Sequence, residues 1–552
     1  MPLTKPVYIF VSGGVLSGLG KGVTAASIGL LLQARGYKVT PVKCENYLNL
    51  DSGLINPIEH GDPFLCNDGT EADMDMGTYE KFLHKNVLKH NFVTMGQIYS
   101  EVIRRERNFE YKGEDVEMPH VTDEIIRRLD LAAKIEGADV VIVELGGTAG
   151  EYLNVLYYEA SRVLKIVKKA TVVHVHVSYL PTPTHLGEPK TKPTQLSVKF
   201  LQSMGIQPDF IVCRGEKAID TRRRERLAMF CNVDPEHVIN NPDEATPYEV
   251  PLTFEKQQFA QKLLKLIDLP DKTADLTDWQ KLIERIYESK KKKIEIAIVG
   301  KYFATGDYEL RDSYAALMDA LDHAGWKHGV TVKARFINSE RIEKGEDVAK
   351  LVDGAAGIIV PIGWGPRGVE GKIKAIKFAR ENKIPYLGLC YGMQLAVVEF
   401  ARNVLGYRDA NTEECNPDST HPVIHLIPTQ KEKMARRAYG GSMRLGNWEC
   451  HVRENTISFA SYNKSQSWIR DHVVGERHRH RYEFNDEYAS QIESKGMILA
   501  GRSVVENLVE IIELPKSMHP FFLGTQFHPE YKSRPLSPHP LFLSYIKACS
   551  GS

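Results

Sequence analysis

Twice along this chain a short apolar run breaks into a glycine-bordered turn and resumes as a helical stretch. The first is Val7-Tyr8-Ile9-Phe10-Val11, which runs into Ser12-Gly13-Gly14-Val15-Leu16-Ser17-Gly18-Leu19-Gly20-Lys21-Gly22. The second is Ile384 to Leu389, which runs into Cys390-Tyr391-Gly392-Met393-Gln394. A buried strand that ends in a tight turn and feeds a helix is the repeating step of a parallel α/β sheet. Similar apolar strands are predicted over Lys38–Lys43, Val140–Glu144, Thr171–Val177, Ile211–Arg214, Ile294–Val299 and Gly357–Val360. A helix over Val23–Arg35 is closed by Gly36. Another is expected to start at a Thr122 cap, with Asp123 and Glu124 in its first turn. The pattern predicts an α/β fold of two doubly wound domains, 1–270 and 294–552. Residues 271–293 read as a linker carrying one amphipathic helix, Leu276–Glu288, and ending in Lys290–Lys293. A length of 552 residues is too great for one core and agrees with this division.

Composition removes several classes of function. Lys plus Arg and Asp plus Glu balance at 71 each, which argues against a dedicated binder of nucleic acid or anionic membrane. The basic runs at 221–226 and 290–293 read as solvated faces. Eight cysteines without a Cys-x-x-Cys pair fit a reducing compartment, so the cytoplasm is expected. No apolar stretch is long enough for a bilayer, and the N-terminal apolar run has no signal-peptide cleavage pattern.

The two turns carry different chemistry. A thiol presented between a strand and a helix is a nucleophile elbow. Far downstream stands Gln526-Phe527-His528-Pro529-Glu530. In an extended segment His528 and Glu530 would point the same way, so Glu530 can orient the imidazole while His528 serves the Cys390 thiol as base and then acid. Such a triad cleaves amides. The N-terminal turn reads as a phosphate-binding loop, with Lys21 reaching the terminal phosphates. It is one residue longer than the standard loop, and Gly22 replaces the usual hydroxyl ligand of magnesium. Asp75, in Asp73-Met74-Asp75, and Glu144, at the end of a strand, are therefore the candidate Mg²⁺ carboxylates. Lys190-Thr191-Lys192-Pro193-Thr194-Gln195 precedes a helix and could hold a second triphosphate, although alone it also fits a solvated loop. Amide cleavage beside nucleotide chemistry implies that ammonia is made at one site and consumed at another.

Together these segments resemble the CTP synthase family from about Tyr8 to Ala548. Gly440-Gly441-Ser442-Met443-Arg444-Leu445-Gly446 and Glu476-Arg477-His478-Arg479-His480-Arg481-Tyr482-Glu483 also match. The resemblance implies an ATP-dependent amidoligase domain at 1–270, joined to a class I glutamine amidotransferase domain at 294–552. Together they aminate UTP to CTP through a 4-phosphorylated intermediate. It implies that Ser17, Gly18, Leu19, Gly20, Lys21 and Gly22 surround the ATP phosphates, with Lys43 near the transferred phosphoryl group. Asp75 and Glu144 correspond to the magnesium ligands. Lys190, Lys192, Gln195 and Arg226 correspond to the UTP site, which is shared with the inhibitor CTP. Cys390, His528 and Glu530 form the triad. Gly363 and Tyr391 border the oxyanion, Gln394 belongs to the elbow motif, and Glu414 and Arg481 bind glutamine. The resemblance further implies GTP activation, an internal ammonia path and a homotetramer, with filaments an open option.

The chain departs from the family pattern at Cys44-Glu45-Asn46 after Lys43, at Ile362 in the oxyanion loop, at Arg226 in place of a lysine, and at Leu153 in place of a carboxylate. These bear on nucleotide selectivity and CTP feedback more than on catalysis. Two other readings compete. One is a related ligase with another acceptor, which the 190–195 segment disfavours. The other is a non-catalytic or glutaminase-impaired scaffold subunit, which the intact triad and carboxylates disfavour. Metal binding by His478 and His480 is disfavoured by the arginines between them. His174 and His176 read as packed histidines. His60 matches the family motif and is given no role.

Overall fold

The structure is a computed structural model that describes residues 5–56, 61–185, 187–301, 304–305, 308–309, 314–436, 439–465 and 467–551. His60 lies outside them. The chain divides into two compact units, 1–50 with 78–283, and 51–77 with 284–552.

The first unit is built on seven strands: β1 (Val7–Gly14), β2 (Val39–Glu45), β3 (Phe92–Thr94), β4 (Val140–Leu145), β5 (Val172–Tyr179), β6 (Phe210–Gly215) and β7 (Val238–Pro242). Their order is β3-β2-β4-β1-β5-β6-β7, and every pairing is parallel. β1, β2 and β4 are buried along their whole length, as continuous apolar strands covered on both faces must be. The order reverses on either side of β1. The loops that leave β1 and its neighbours therefore open at a switch point, where parallel sheets take ligands. The helix expected from a Thr122 cap instead runs Met118–Glu136, with Glu117 as the cap. Pro119 sets the first turn, and the Thr122 hydroxyl bonds back to the Pro119 carbonyl at 3.0 Å. The helix predicted at 276–288 spans Thr277–Ser289 and packs Trp279 against Phe82 and Tyr248.

The second unit holds a nine-stranded sheet: β8 (Lys293–Gly300), β9 (Thr331–Asn338), β10 (Gly357–Val360), β11 (Tyr386–Leu389), β12 (Arg444–Val452), β13 (Val473–His480), β14 (Ile498–Ser503), β15 (Val509–Leu514) and β16 (Phe522–Thr525). The order is β9-β8-β10-β11-β16-β15-β14-β12-β13. It is parallel from β9 to β16 and antiparallel beyond. Ile296 and Ile298 pack into one apolar cluster, Ala297 and Val299 into the other, so the period-2 alternation of β8 feeds cores on both faces of the sheet.

Candidate active sites

In the second unit the thiol stands where β11 ends and α-helix Tyr391–Phe400 begins. Cys390 has φ 51° and ψ −97°, a backbone a β-carbon resists, and it is held by its N–H to the Thr525 carbonyl at 2.7 Å. The turn closes only because Gly392 lacks a side chain: a Cβ there would lie 2.0 Å from the Val360 carbonyl oxygen. The sulfur is buried. Its partners are the Arg479 carbonyl at 3.8 Å and the Gln526 Nε2 donor at 3.5 Å. Gln394 bridges Gln526 Oε1 and the Tyr482 carbonyl, at 3.1 and 3.0 Å, and so fixes the Gln526 amide.

His528 Nδ1 meets Glu530 Oε1 at 2.8 Å, while Nε2 is buried without a hydrogen-bond partner among the described residues. Burial opposes charge on this imidazole. The Glu530 carboxylate and the Cys390 sulfur outweigh it, and the pKa rises to about 10. The segment is not the extended strand the sequence predicts. Pro529–Lys532 forms a 3-10 turn, and the turn itself brings Glu530 back to the ring.

The loop after β10 is held from several sides. Glu414 Oε1 accepts the Gly365 N–H at 2.7 Å, the Tyr391 hydroxyl donates to the Gly365 carbonyl at 3.0 Å, and Lys301 Nζ donates to the carbonyls of Trp364 and Gly365. The Ile362 departure is absorbed. The residue lies outside the left-handed region, and its side chain is buried in the cluster that includes Leu389 and Cys390. Burial raises the Glu414 pKa. Arg481 donates to Gln430 Oε1, the Tyr439 carbonyl and Ser442 Oγ, and the Tyr482 hydroxyl senses both Glu414 and Arg481. His478 and His480 flank Arg444, which also pairs with Glu510 at 2.8 Å.

In the first unit the phosphate loop joins β1 to α-helix Lys21–Gln33. Gly18 and Gly20 have φ of 72° and 77°, conformations that glycine adopts without strain. Ser17 and Gly18 are exposed at the crest, and Leu19 and Gly22 are buried beneath. Lys21 Nζ donates to the Gly147 carbonyl at 2.7 Å. His176 bridges Ser12 and Ser197 at 2.9 and 2.8 Å, and burial, helped by Lys21, lowers its pKa to about 3. It is a packed histidine, as the sequence implies.

Lys43 lies between two carboxylates, Glu144 at 2.8 Å and Glu45 at 3.3 Å, and Glu144 also takes the Tyr79 hydroxyl. Sequence reasoning gave Glu45 no role. Its position two residues beyond Lys43 on one strand is the signal that could have found it. Arg214 was also missed. Its guanidinium lies 4.0 Å from a Cβ placed on Gly20 and pairs with Asp243. Lys190 pairs with Glu188, Gln195 bonds Thr191, Lys192 opens its helix exposed, and Arg226 is exposed over the Phe230 ring. Asp75 belongs to the second unit, where its N–H closes a turn on Asp73 Oδ1 at 2.9 Å. Where the family pattern has a carboxylate, Leu153 packs on the core. Glu151, two residues earlier, folds over the loop and accepts the Thr148 N–H and the Asn46 amide. Among the described residues no cluster of three or more His, Cys, Asp or Glu could hold an ion unaided. One or two carboxylates, completed by substrate phosphates and water, is nevertheless the donor set magnesium favours; Glu144 is a carboxylate of that kind, with its two oxygens held in this structure by Lys43 and the Tyr79 hydroxyl.

A phosphate-loop α/β unit joined to a thiol glutaminase unit defines a glutamine-hydrolysing carbon–nitrogen ligase. Residues 7–269 match the family model of the CTP synthase N-terminus, and residues 309–548 match that of class I glutamine amidotransferases. The CTP synthase of Caldanaerobacter subterraneus is 48% identical over 98% of both chains. That of Methanocaldococcus jannaschii is 46% identical over 99% of this chain and 98% of its own. A solved glutaminase domain of Trypanosoma brucei CTPS with bound acivicin is 36% identical over 47% of this chain and 94% of that one, at a TM-score of 0.42. The chain belongs to the CTP synthase family.

Proposed function

We propose that the chain converts UTP to CTP with glutamine as nitrogen donor, in pyrimidine nucleotide synthesis. The observation that carries this is end-to-end membership of the family, with the thiol elbow and the phosphate loop both intact. In the second unit Cys390 attacks the glutamine carboxamide. His528, held by Glu530, takes the thiol proton and returns it to the leaving ammonia, and water then frees glutamate from the thioester. Gly363 and Tyr391 border the oxyanion, and Glu414 and Arg481 hold the amino-acid end. In the first unit Lys21 and Lys43 balance the charge on the phosphoryl group as it moves from ATP to O4 of the uracil ring. Ammonia then adds at C4 and phosphate leaves. The loop at 17–22 takes the ATP phosphates, and Lys190, Lys192, Gln195 and Arg226 take those of UTP. Magnesium, with Glu144 as the carboxylate this unit offers it, would supply charge neutralisation on the polyphosphate. GTP activation, CTP inhibition, a homotetramer and a cytoplasmic setting belong to the same proposal. No described helix is long and apolar enough to cross a membrane.

The test is Cys390→Ala. Glutamine-driven CTP formation should vanish while ammonium-driven formation from UTP and ATP persists. Failure of the wild type with ammonium refutes the acceptor, and equal glutaminase in both proteins refutes the triad.

A further inference from the structure

Lys372 lies on α-helix Val369–Glu381, fully buried, and its Nζ has no hydrogen-bond partner among the described residues. It sits beneath the oxyanion loop. A Cβ built on Gly363 would lie 2.7 Å from this Nζ and 3.2 Å from the Tyr391 ring. The same Nζ is 5.1 Å from the centroid of that ring, on the residue that follows the nucleophile. The ionisable groups acting on it come from each element packed around it: Lys301 after β8, Glu414 and Cys415 from the loop beyond Asn411–Thr412, and Cys390 from the elbow.

An ammonium buried without an acceptor is costly, and a methionine would fill the same space without that cost. The charge has a use at one moment of the reaction, when the glutamine carbonyl oxygen becomes an oxyanion against this loop. Fixed positive charge behind a developing anion lowers the barrier because it needs no reorganisation. Gly363 is glycine here for want of space, not for its φ, and this lets the lysine come up against the loop. We propose that Lys372 is a positioning residue of the glutaminase, its ammonium backing the Gly363 end of the oxyanion loop and placing positive charge behind the oxyanion. The inference rests on the glutaminase reading given above. Nζ acts through the loop and the Tyr391 ring and does not touch the substrate. Burial, then Lys301, lowers its pKa to about 7 against the opposing pull of Glu414, so its protonation changes in the range where the enzyme is assayed.

The test compares full-length wild type with Lys372→Met, measuring glutaminase kcat and KM from about pH 6 to about pH 9. Ammonium-driven CTP formation reports an intact fold. The wild type should exceed the variant about tenfold in kcat at the acid end, with KM unchanged, and the ratio should close toward unity at the alkaline end as Lys372 loses its proton. Should the methionine variant lose ammonium-driven synthesis, Lys372→Gln makes the same comparison. A ratio constant across pH, whatever its size, reduces Lys372 to packing and overturns the proposal. Wild type without any Cys390-dependent glutaminase overturns the underlying reading instead.

Discussion

Lys43→Met should destabilise the first unit far more than a surface charge would. Lys43 and Glu144 are both buried, and their contact is 2.8 Å. Replacing the lysine leaves Glu144 facing the Tyr79 hydroxyl without a cation, and Glu45 loses the same partner. Breaking a buried pair from one side costs about 3–5 kcal/mol, because the remaining charge has been taken out of water. At roughly 2–4 °C per kcal/mol for a unit of this size, its thermal transition should fall by about 6–20 °C. Molar salt should not restore it, since a buried pair is weakly screened. Adding Glu144→Gln to Lys43→Met removes the more deeply buried of the two orphaned charges and should recover part of the loss, Glu45 keeping its own share. Calorimetry of the full chain reads the transition, and Cys390-dependent glutaminase reports an intact second unit. A drop below about 2 °C, or a double variant no better than the single, would refute the reasoning.

Glu530→Gln should lower glutaminase kcat/KM by roughly 10²–10⁴ while ammonium-driven synthesis persists, because the imidazole loses its orienting carboxylate. The His528 pKa is raised in the folded chain, from 6.5 to about 10, so its stabilisation is complete below the unfolded value and disappears as pH climbs through the folded one. Urea midpoints of wild type and Glu530→Gln should therefore converge between about pH 7 and about pH 10; a constant gap would contradict the pairing. Gly392→Ala forces a Cβ against a backbone oxygen that has no rotamer to yield. It should lower the second unit's transition by about 1–3 kcal/mol and abolish glutaminase, and a fully active variant would show that the elbow packs differently.

The strands and both turns are legible in the sequence because continuous apolar runs bounded by glycines have one reading in a parallel sheet. The same pattern singles out Cys390, His528 and Lys21 as the candidate nucleophile, base and phosphate-loop lysine. What escapes it depends on partners distant in sequence. Glu45 reads as a departure until Lys43 and Glu144 are seen on adjacent strands, with Lys43 registered on Glu144 itself. Thr122 carries every mark of a cap, yet the helix begins earlier, because Pro119 needs no N–H in a first turn. Lys301 and Lys372 carry no motif, and only their burial against residues 363–365 and Tyr391 brings them to notice.

The run Glu476–Glu483 shows why such charge patterns mislead. On β13 the alternation sorts the residues by face. Arg477 reaches Asn67 and the Leu65 carbonyl, and Arg479 pairs with Glu71 at 2.7 Å, so both hold the 51–77 segment of the same unit. His478 and His480, pointing the other way, share Arg444 with Glu510, and burial keeps both rings neutral. An arginine between two histidines argues against a metal in one dimension. In three it is a different arginine, Arg444 from the neighbouring strand, that meets both rings, whose facing nitrogens lie 3.1 Å apart. The Arg479 carbonyl accepts the Cys390 thiol while its guanidinium holds Glu71 and overlies Trp364 of the loop after β10. One residue thus links Cys390, the 361–365 loop and a segment far upstream.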